Sequence, residues 1–267
     1  MDLSLTETFL PMVSLQDSCC LDISFDPSNN MLVYGQQVNS GSTKKILLQS
    51  LIPALLNKSL HYPEVVYEEH VQVFNSDDRD LASSGLSYDV LCIPPGLLGV
   101  EFIKSHIYFT PKNTQDGKKF STIIEVHFGL LTVIMQKNYP KNEFDIHTSV
   151  EEGLIVKLKC GEKLAVPQGY FYNFINTEDD PVVFVRIHKG DDLVDYTILR
   201  RERGLAYYCI RKNARQEIVH NPIYRTVPKI KSLRANSFLD DAGLDPFISL
   251  YTQLRQQTKI FLSVLWD

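Results

Sequence analysis

The sequence predicts an all-β fold, a barrel or a sandwich, and two features lead to this prediction. From Val65 onward, short apolar segments alternate with polar turns that contain Gly and Pro, which is typical of many short strands. The second feature is a hairpin, LAVPQGYFYNFINTEDDPVVFVRIH, that runs from Leu164 to His188. Side chains in a strand alternate between its two faces, so Tyr170, Tyr172 and Phe174 share one face of the first hairpin strand.

The second hairpin strand has polar side chains on one face of an apolar run. Val182, Phe184, Arg186 and His188 fall on that face. Arginine and histidine here, with tyrosines on the preceding strand, predict that the hairpin forms the wall of a polar cavity.

Taken in order, the chain begins with an N-terminal arm, residues 1–20, in which no period is visible. Residues 21–34 alternate weakly around a polar turn. The spacing of apolar residues predicts one helix in the front half, over Ser42–Asn57. The other predicted strands are Tyr67–Phe74, Leu86–Ile93, Val100–Phe109, Thr122–Gln136, Gly153–Leu158, Ala206–Ile210 and Glu217–His220.

The chain changes character after Tyr224. Asp245 is predicted to cap a helix that has Pro246 at its first position. Apolar residues then recur at helical spacing: Phe247, Leu250, Tyr251, Leu254, Phe261 and Leu265. Either this helix packs on its own barrel or it docks on a second subunit or other partner. The predicted domains are the arm (1–20), a barrel (21–230) and a C-terminal helical extension (231–267).

The composition argues against several function classes. The net charge of −5 and the lack of a basic stripe argue against binding to nucleic acid. No apolar run is long enough to span a bilayer, and the N-terminus MDLSLTETFL lacks the features of a signal peptide. The five cysteines form no C-x-x-C pair, which favours reduced thiols. We therefore expect a cytoplasmic protein that binds neither nucleic acid nor membranes.

The hairpin also resembles part of a known family. Its pattern of Val166-Pro167, Asn176-Thr177, Pro181 and Phe184 is similar to the second half of a cupin. More narrowly, the chain resembles the cupin-type glucose-6-phosphate isomerases, in collinear order from about Phe25 to Tyr224. Further matching segments are Pro63–Tyr67, Pro95–Ser105, Asp195–Ile198, Arg203–Gly204 and Val219–Pro222. The resemblance implies a cupin fold, that is, a double-stranded β-helix or jelly-roll barrel, here with the arm and the helical extension added.

The resemblance also implies a metal site, but its histidine pair is replaced in this chain. A cupin holds its metal with two histidines at i and i+2, a glutamate soon after, and a third histidine on a later strand. Aligned without a gap, Tyr108 and Thr110 replace the first two histidines. With a two-residue deletion, His106 becomes the first ligand and Tyr108 replaces the second.

The remaining two ligand positions of the family fall on Glu125 and Tyr172. Glu125 matches the family's glutamate, and Tyr172 stands where the third histidine is expected. We therefore predict no cofactor. A divalent metal (Fe, Mn or Zn) bound through Glu125 and His106 is expected only if the site is rebuilt.

By the same resemblance, catalytic and substrate-binding roles fall on particular positions. Interconverting glucose 6-phosphate and fructose 6-phosphate requires a base that moves a proton between C1 and C2. Glu125 is the candidate base, Tyr196 matches a family tyrosine, and His188 replaces another. The histidine that precedes Asp195 in the family is Val194 here. The candidate substrate-binding residues are Ser105, Tyr172, Arg186 and His127.

Three functions remain open at this point. The first is a diverged family member that keeps a sugar-phosphate pocket. The second is an active aldose–ketose isomerase with a rebuilt site that uses Glu125, His106, His127 and His188. The third is a structural or interaction protein whose barrel is filled with aromatic residues.

Two further expectations concern charge pairing and assembly. A buried Glu125 without a metal needs a positive partner, so we predict that Arg186 pairs with it. Alternatively, Arg186 reaches solvent at the barrel mouth or binds a substrate phosphate there. The family resemblance implies a homodimer that pairs through the barrels, and the apolar C-terminal segment adds surface that a monomer would have to cover.

Overall fold

The computed structural model describes residues 11–112, 119–140, 148–190 and 201–265. Within these ranges, two mainly antiparallel sheets face each other across one apolar interior, with a further layer against the outer face of each sheet. This pairing confirms the predicted all-β cupin barrel. The proposed domain boundaries stay a prediction.

The first barrel sheet has six strands, and every neighbouring pair is antiparallel. In spatial order they are Lys163–Pro167 (β13), Phe120–Phe128 (β10), Val182–Lys189 (β15), Leu86–Ile93 (β6), Val65–Asn75 (β5) and Val38–Leu47 (β4). β4 forms one edge of this sheet.

The second barrel sheet has five strands. In spatial order they are Lys231–Ser232 (β18), Val150–Lys159 (β12), Leu130–Asn138 (β11), Phe171–Ile175 (β14) and Tyr108–Phe109 (β9). The side chains that both sheets direct inward form one cluster, which we call the barrel interior and which includes Leu91, Val133, Phe174 and Phe184.

A second apolar cluster, which we call the outer layer, covers the other face of the six-stranded sheet. Both ends of the described chain contribute to it. The first end supplies Val13–Ser14 (β1), Gln16–Cys19 (α1), Ile23–Asp26 (β2) and Met31–Tyr34 (β3). The other end supplies two helices, Leu250–Gln256 and Thr258–Val264.

A third apolar cluster lies against the other face of the five-stranded sheet. A four-stranded sheet covers it, made of Leu97–Leu98 (β7), Glu101–Phe102 (β8), Tyr207–Lys212 (β16) and Arg215–His220 (β17). The remaining short elements are the helices Leu48–Leu51 (α2) and Arg79–Ala82 (α3), with a 3-10 turn at Ile52–Ala54. The two C-terminal helices are therefore α4 and α5.

The strand predictions agree with the structure to different degrees. Leu86–Ile93 has the predicted bounds, whereas the single strand expected over Thr122–Gln136 is two strands, β10 and β11, joined at Gly129. Gly129 has a φ of 75°, and a Cβ there would lie 2.3 Å from the carbonyl oxygen of Pro181. Only glycine tolerates both this positive φ and the close approach of the Pro181 carbonyl. Gly129 therefore allows the chain to turn between β10 and β11.

The predicted helix over Ser42–Asn57 is wrong. Its first part, Ser42–Leu47, belongs to β4, which pairs along β5, and only Leu48–Leu51 is α-helical, with a 3-10 turn after it. The apolar residues that suggested one helical stripe are divided among the strand (Ile46, Leu47), the 3-10 turn (Ile52) and the bend after it (Leu55, Leu56). Cross-strand pairing with β5, which the local spacing does not report, decides the outcome.

The C-terminal helix begins later than predicted. Ser249 caps α4 by accepting a hydrogen bond from the Thr252 amide, and Phe247, an expected member of the apolar stripe, is 93% exposed. The helix packs on its own barrel, since Tyr251 stacks edge-on against Tyr88 with ring centroids 5.2 Å apart. Docking on a second subunit stays a prediction. None of the helices in the described ranges has the length and apolar character needed to cross a bilayer.

Candidate functional site

The register of β6 and β15 places polar residues on the face that lines the barrel. Arg186 lies directly opposite Asp89, and His188 lies opposite Ser87. Phe184, two residues before Arg186, packs in the barrel interior, whereas Val185 and its alternate neighbours pack in the outer layer. Because side chains alternate along a strand, Arg186 and His188 continue the interior face.

The neighbouring strands add a carboxylate and an amine to the same region. Glu69 follows Tyr67 by two residues on β5, and Tyr67 packs in the barrel interior. Lys44 on the edge strand β4 lies directly opposite Glu69. Four adjacent strands therefore contribute charged side chains to one end of the barrel.

These side chains line a cavity of about 460 Å³ at the end of the barrel where β6 begins and β15 ends. We call it the charged cavity. Its ionisable lining residues other than tyrosine are Lys44, Glu69, Asp89, His106, Arg186 and His188.

The Asp89 carboxylate accepts four hydrogen bonds. Its Oδ2 accepts hydrogen bonds from Arg186 Nη2 at 3.2 Å and from His188 Nε2 at 2.8 Å. Its Oδ1 accepts from the Ser87 hydroxyl and from the Gln72 amide. Burial raises the pKa of Asp89, but the hydrogen bonds and the positive charge of Arg186 outweigh burial and hold the pKa well below its usual range. Asp89 is therefore a carboxylate at neutral pH.

His188 has an acceptor at each ring nitrogen. Nδ1 lies 3.1 Å from the carbonyl oxygen of Gly190, and Nε2 lies 2.8 Å from the Asp89 carboxylate. A carbonyl oxygen and an ionised carboxylate can only accept hydrogen bonds. The two contacts together hold the imidazole ring between the end of β15 and Asp89.

Glu69 is held differently from Asp89. Its Oε1 accepts hydrogen bonds from the hydroxyls of Tyr108 at 2.6 Å and Tyr67 at 3.3 Å. Its Oε2 lies 3.6 Å from Arg186 Nη2, which is beyond hydrogen-bond distance. The guanidinium of Arg186 also lies over the ring of Tyr108, 4.7 Å from its centroid.

Beneath the charged cavity, the barrel is filled with aromatic rings. Tyr108 and Tyr172 have ring centroids 5.6 Å apart, and Phe174 and Phe184 are 4.8 Å apart. The centre of the barrel is closed and aromatic, as expected for an interaction protein. The open, charged end is the feature expected of a binding protein.

Glu125 does not lie in the charged cavity, and its expected pair with Arg186 is wrong. Arg186 contacts Asp89 and Glu69 instead. Glu125 lies opposite Val185 and Lys163 in the sheet, so it faces the outer layer. Its Oε1 is 2.8 Å from Lys163 Nζ, and its Oε2 accepts a hydrogen bond of 2.7 Å from the Leu250 amide. Burial raises the pKa of Glu125, and Lys163 opposes that shift.

His127 lies near Glu125 and not in the charged cavity. Its Nε2 is 4.0 Å from Glu125 Oε2, and neither ring nitrogen has a hydrogen-bond partner among the described residues. Burial and, secondarily, the charge of Lys163 lower the pKa of His127 to about 3. His127 is therefore neutral at pH 7.

The other predicted site residues are dispersed. Ser105 is buried, and its hydroxyl donates to the His106 carbonyl and accepts from the Phe174 amide. His106 lines the charged cavity, with its Nε2 2.9 Å from the Ser50 hydroxyl, and burial lowers its pKa. Tyr172 belongs to the aromatic filling. Tyr196 lies outside the described residues.

The described residues do not fit the metal site that the family resemblance implies. In the ranges that the structure describes, no three His, Cys, Asp or Glu side chains are grouped to hold one ion. Glu125 faces the outer layer and His106 lines the charged cavity, so the two predicted ligands do not share a site.

Sequence reasoning missed Glu69 and Asp89. A signal for both was present in the alternation of side chains, since Glu69 shares a strand face with Tyr67, and Asp89 shares one with Leu91 and Ile93. A carboxylate within a buried strand needs a partner, and Arg186 was the candidate. Only the cross-strand register identifies which carboxylate it meets.

Comparison with known proteins identifies related sequences. A family model described as glucose-6-phosphate isomerase (GPI) matches residues 52–225, more than half of the chain. The glucose-6-phosphate isomerase of Pyrococcus abyssi is 23% identical over 162 residues, covering 61% of this chain and 74% of the relative. That of Thermococcus kodakarensis is 22% identical over 171 residues, covering 63% and 78%.

Similar solved structures are more distant. An oxalate oxidase in complex with the substrate analogue glycolate is 14% identical with a TM-score of 0.28, covering 46% of this chain and 49% of that one. A Lactobacillus farciminis oxalate decarboxylase formate complex is 14% identical with a TM-score of 0.32, covering 51% and 32%. TM-scores this low carry no argument about the site.

Proposed function

The chain belongs to the glucose-6-phosphate isomerase family, and from that premise we propose that it binds a sugar phosphate in the charged cavity. The observation that carries the proposal is the set of charged groups around one open space at the barrel end. The cavity volume of about 460 Å³ falls within the range of small-molecule sites.

The chemistry of the lining suits both parts of such a ligand. Arg186 and Lys44 supply positive charge and hydrogen-bond donors, which a phosphate requires, and the ring of His188 lies beside them. Glu69 supplies a carboxylate, which accepts hydrogen bonds from sugar hydroxyls. Asp89 holds the Arg186 and His188 side chains in place, so the donors are ordered before the ligand arrives.

Titration calorimetry with glucose 6-phosphate and fructose 6-phosphate tests the proposal. We expect both to bind, and glucose without phosphate to bind much more weakly. Arg186→Lys should weaken binding about tenfold or more, because lysine keeps the charge beside Asp89 and Glu69 but lacks the planar fork. Arg211→Lys is the matched control, since Arg211 lies on the surface and pairs with Asp179.

Two results would contradict the proposal. One is the absence of binding by either sugar phosphate at millimolar concentration to folded protein. The other is binding that neither Arg186→Lys nor Lys44→Gln weakens, because the ligand would then lie elsewhere.

A second candidate, a non-catalytic interaction protein, is favoured by the aromatic filling of the barrel centre. Tyr108, Tyr172, Phe174 and Phe184 occupy the space beneath the charged cavity. The same calorimetry separates the two candidates, since this second function predicts a folded, stable protein that binds no sugar phosphate.

A further inference from the structure

Resting on the sugar-phosphate binding proposed above, we infer that Gln72 is a positioning residue that holds the charged cavity open and orders Asp89 within it. Gln72 lies within β5, yet its φ is 57°, in the left-handed region that favours glycine. The other non-glycine residues at positive φ in the described ranges lie in turns, bends or loops. The Gln72 side chain is exposed, so its packing in a core does not account for this conformation.

The strand beside β5 leaves room for the left-handed backbone at Gln72. Gly41 lies opposite Gln72 in the register of β4 and β5. A Cβ on Gly41 would lie 3.1 Å from the Val71 carbonyl oxygen and 3.4 Å from Gln72 Cβ. Any other residue at this position would therefore crowd β5 at the point where its backbone departs from a regular strand.

The left-handed residue lies where the six-stranded sheet divides. β5 pairs with β6 over residues 68–70, opposite residues 90–92, and no further pair of these two strands follows in the described ranges. β5 nevertheless stays paired with β4 as far as Asn75, and β6 stays paired with β15 as far as Leu86. The charged cavity opens between β5 and β6, since residues of both strands line it. The separation of the two strands therefore forms the mouth of the cavity.

Asp89 connects Gln72 to the groups that face a ligand. The register of β5 and β6, continued by one pair, would place Val71 opposite Asp89. Instead, the Gln72 amide donates to Asp89 Oδ1 at 3.0 Å. The other oxygen of the carboxylate accepts from Arg186 and His188. Because the backbone conformation at Gln72 sets the direction of its amide, it orients the carboxylate and, through it, the Arg186 guanidinium.

Replacements at residue 72 separate its backbone conformation from its side chain. Glycine adopts the left-handed conformation freely and keeps the amide, whereas a β-branched valine favours an extended strand. Gln72→Val should weaken the binding of glucose 6-phosphate about tenfold or more in a folded protein, because the carboxylate loses its amide donor. Gln72→Gly should retain the affinity within about threefold. Gln216→Val, on β17 and away from the cavity, is the matched control and should leave the affinity unchanged.

A second measurement requires no ligand. With an extended backbone at residue 72, β5 can continue its pairing along β6. Gln72→Val should therefore slow amide hydrogen exchange in residues 85–89, and Gln72→Gly should not. If Gln72→Val does not fold, Gly41→Ala is the second variant, since it crowds the same backbone from β4 and should weaken the binding of glucose 6-phosphate by at least about threefold.

The outcomes separate this inference from the binding proposal. Unchanged affinity or unchanged exchange in Gln72→Val overturns the role of Gln72 and leaves sugar-phosphate binding standing, as does unchanged affinity in Gly41→Ala. Equal losses of affinity in Gln72→Gly and Gln72→Val also overturn it, since the side chain would then matter and the backbone would not. If wild-type protein binds no sugar phosphate, the binding proposal fails, and the exchange measurement alone decides whether Gln72 holds β5 and β6 apart.

Discussion

His127 is a fully buried histidine without a hydrogen-bond partner among the described residues, and it should make the fold sensitive to acid. Its pKa is about 3 in the folded protein and about 6.5 in an unfolded chain. Between these values the unfolded state binds the extra proton. Its contribution is therefore fully present above pH 6.5 and is lost as the pH falls through this window.

We expect the free energy of unfolding to fall by about 2 kcal/mol between pH 6.5 and 5 because of this one group. His127→Phe should remove that part of the pH dependence, and His61→Gln, at an exposed position, should not. Urea unfolding at the two pH values measures the difference. Equal pH dependence in wild type and His127→Phe would show that His127 is not buried in its neutral form.

At the same scale, the sequence placed Arg186 and His188 on the face that lines the charged cavity, as observed, but it misplaced Glu125. The roles of Arg186 and His188 stay a prediction. Side chains alternate along β15, so Arg186 and His188 lie on the same face as Phe184, which packs in the barrel interior. The predicted position of Glu125 in the site rested on its match to the family's glutamate. β10 is buried on nearly every residue on both faces, so the polar residues Glu125 and His127 on one face do not reveal whether that face lines the barrel or the outer layer.

Among the secondary-structure elements, α4 is fastened to the barrel by a buried ion pair. Glu125 accepts a hydrogen bond from the Leu250 amide at the start of the helix, and Lys163 Nζ donates to the Pro246 carbonyl at 2.9 Å. The pair therefore joins two strands of the sheet to both sides of the turn that leads into α4.

Replacing one partner of the Glu125–Lys163 pair should lower the free energy of unfolding more than replacing both partners together. We expect Glu125→Gln or Lys163→Met alone to lower the free energy of unfolding by about 3–5 kcal/mol, since each leaves a buried charge alone. The double variant Glu125→Leu/Lys163→Met should recover much of that loss. The surface pair Lys137–Glu151, treated in the same way, is the control and should change stability by less than about 1 kcal/mol. Additive losses in the double variant would argue that the two side chains are not paired.

Element boundaries were predicted best where the local pattern decides them. β6 was found with its bounds because an apolar run ends in a Pro-Pro-Gly turn. Part of β4 was mistaken for a helix because its pairing with β5 is not visible in the spacing of its own apolar residues. α4 was placed too early because Ser249 caps it and not Asp245.

For the whole molecule, we predict a homodimer. Most of the C-terminal apolar stripe is buried on its own barrel, which weakens the sequence argument, but Phe247 stays 93% exposed beside Ile248. We expect light scattering to give twice the chain mass of 30.5 kDa at micromolar concentration. Phe247→Ser should shift the protein towards monomer, and Tyr62→Ser, at another exposed aromatic, should not. A monomer mass for wild-type protein would contradict the prediction.

The fold class was predictable at this scale and the cavity was not. A succession of short strands and turns is a local property of the sequence, and it predicts an all-β barrel. The charged cavity depends on residues from β4, β5, β6 and β15, and on a register in which Lys44 meets Glu69 and Asp89 meets Arg186. A shift of one residue in either pairing would disperse these groups, so no local pattern specifies them.

The outer layer has a consequence for how the protein is made. The first and the last of the described elements cover the same sheet face, and the Ser249 hydroxyl donates to the Cys20 thiol at 3.2 Å. During synthesis β1 to β3 are available early, whereas α4 and α5 follow every barrel strand. Until α4 and α5 are made, the nascent barrel presents an unfinished apolar face to chaperones and proteases. A chain truncated shortly before Leu250 should therefore be removed by cellular quality control even though every barrel strand has been synthesised.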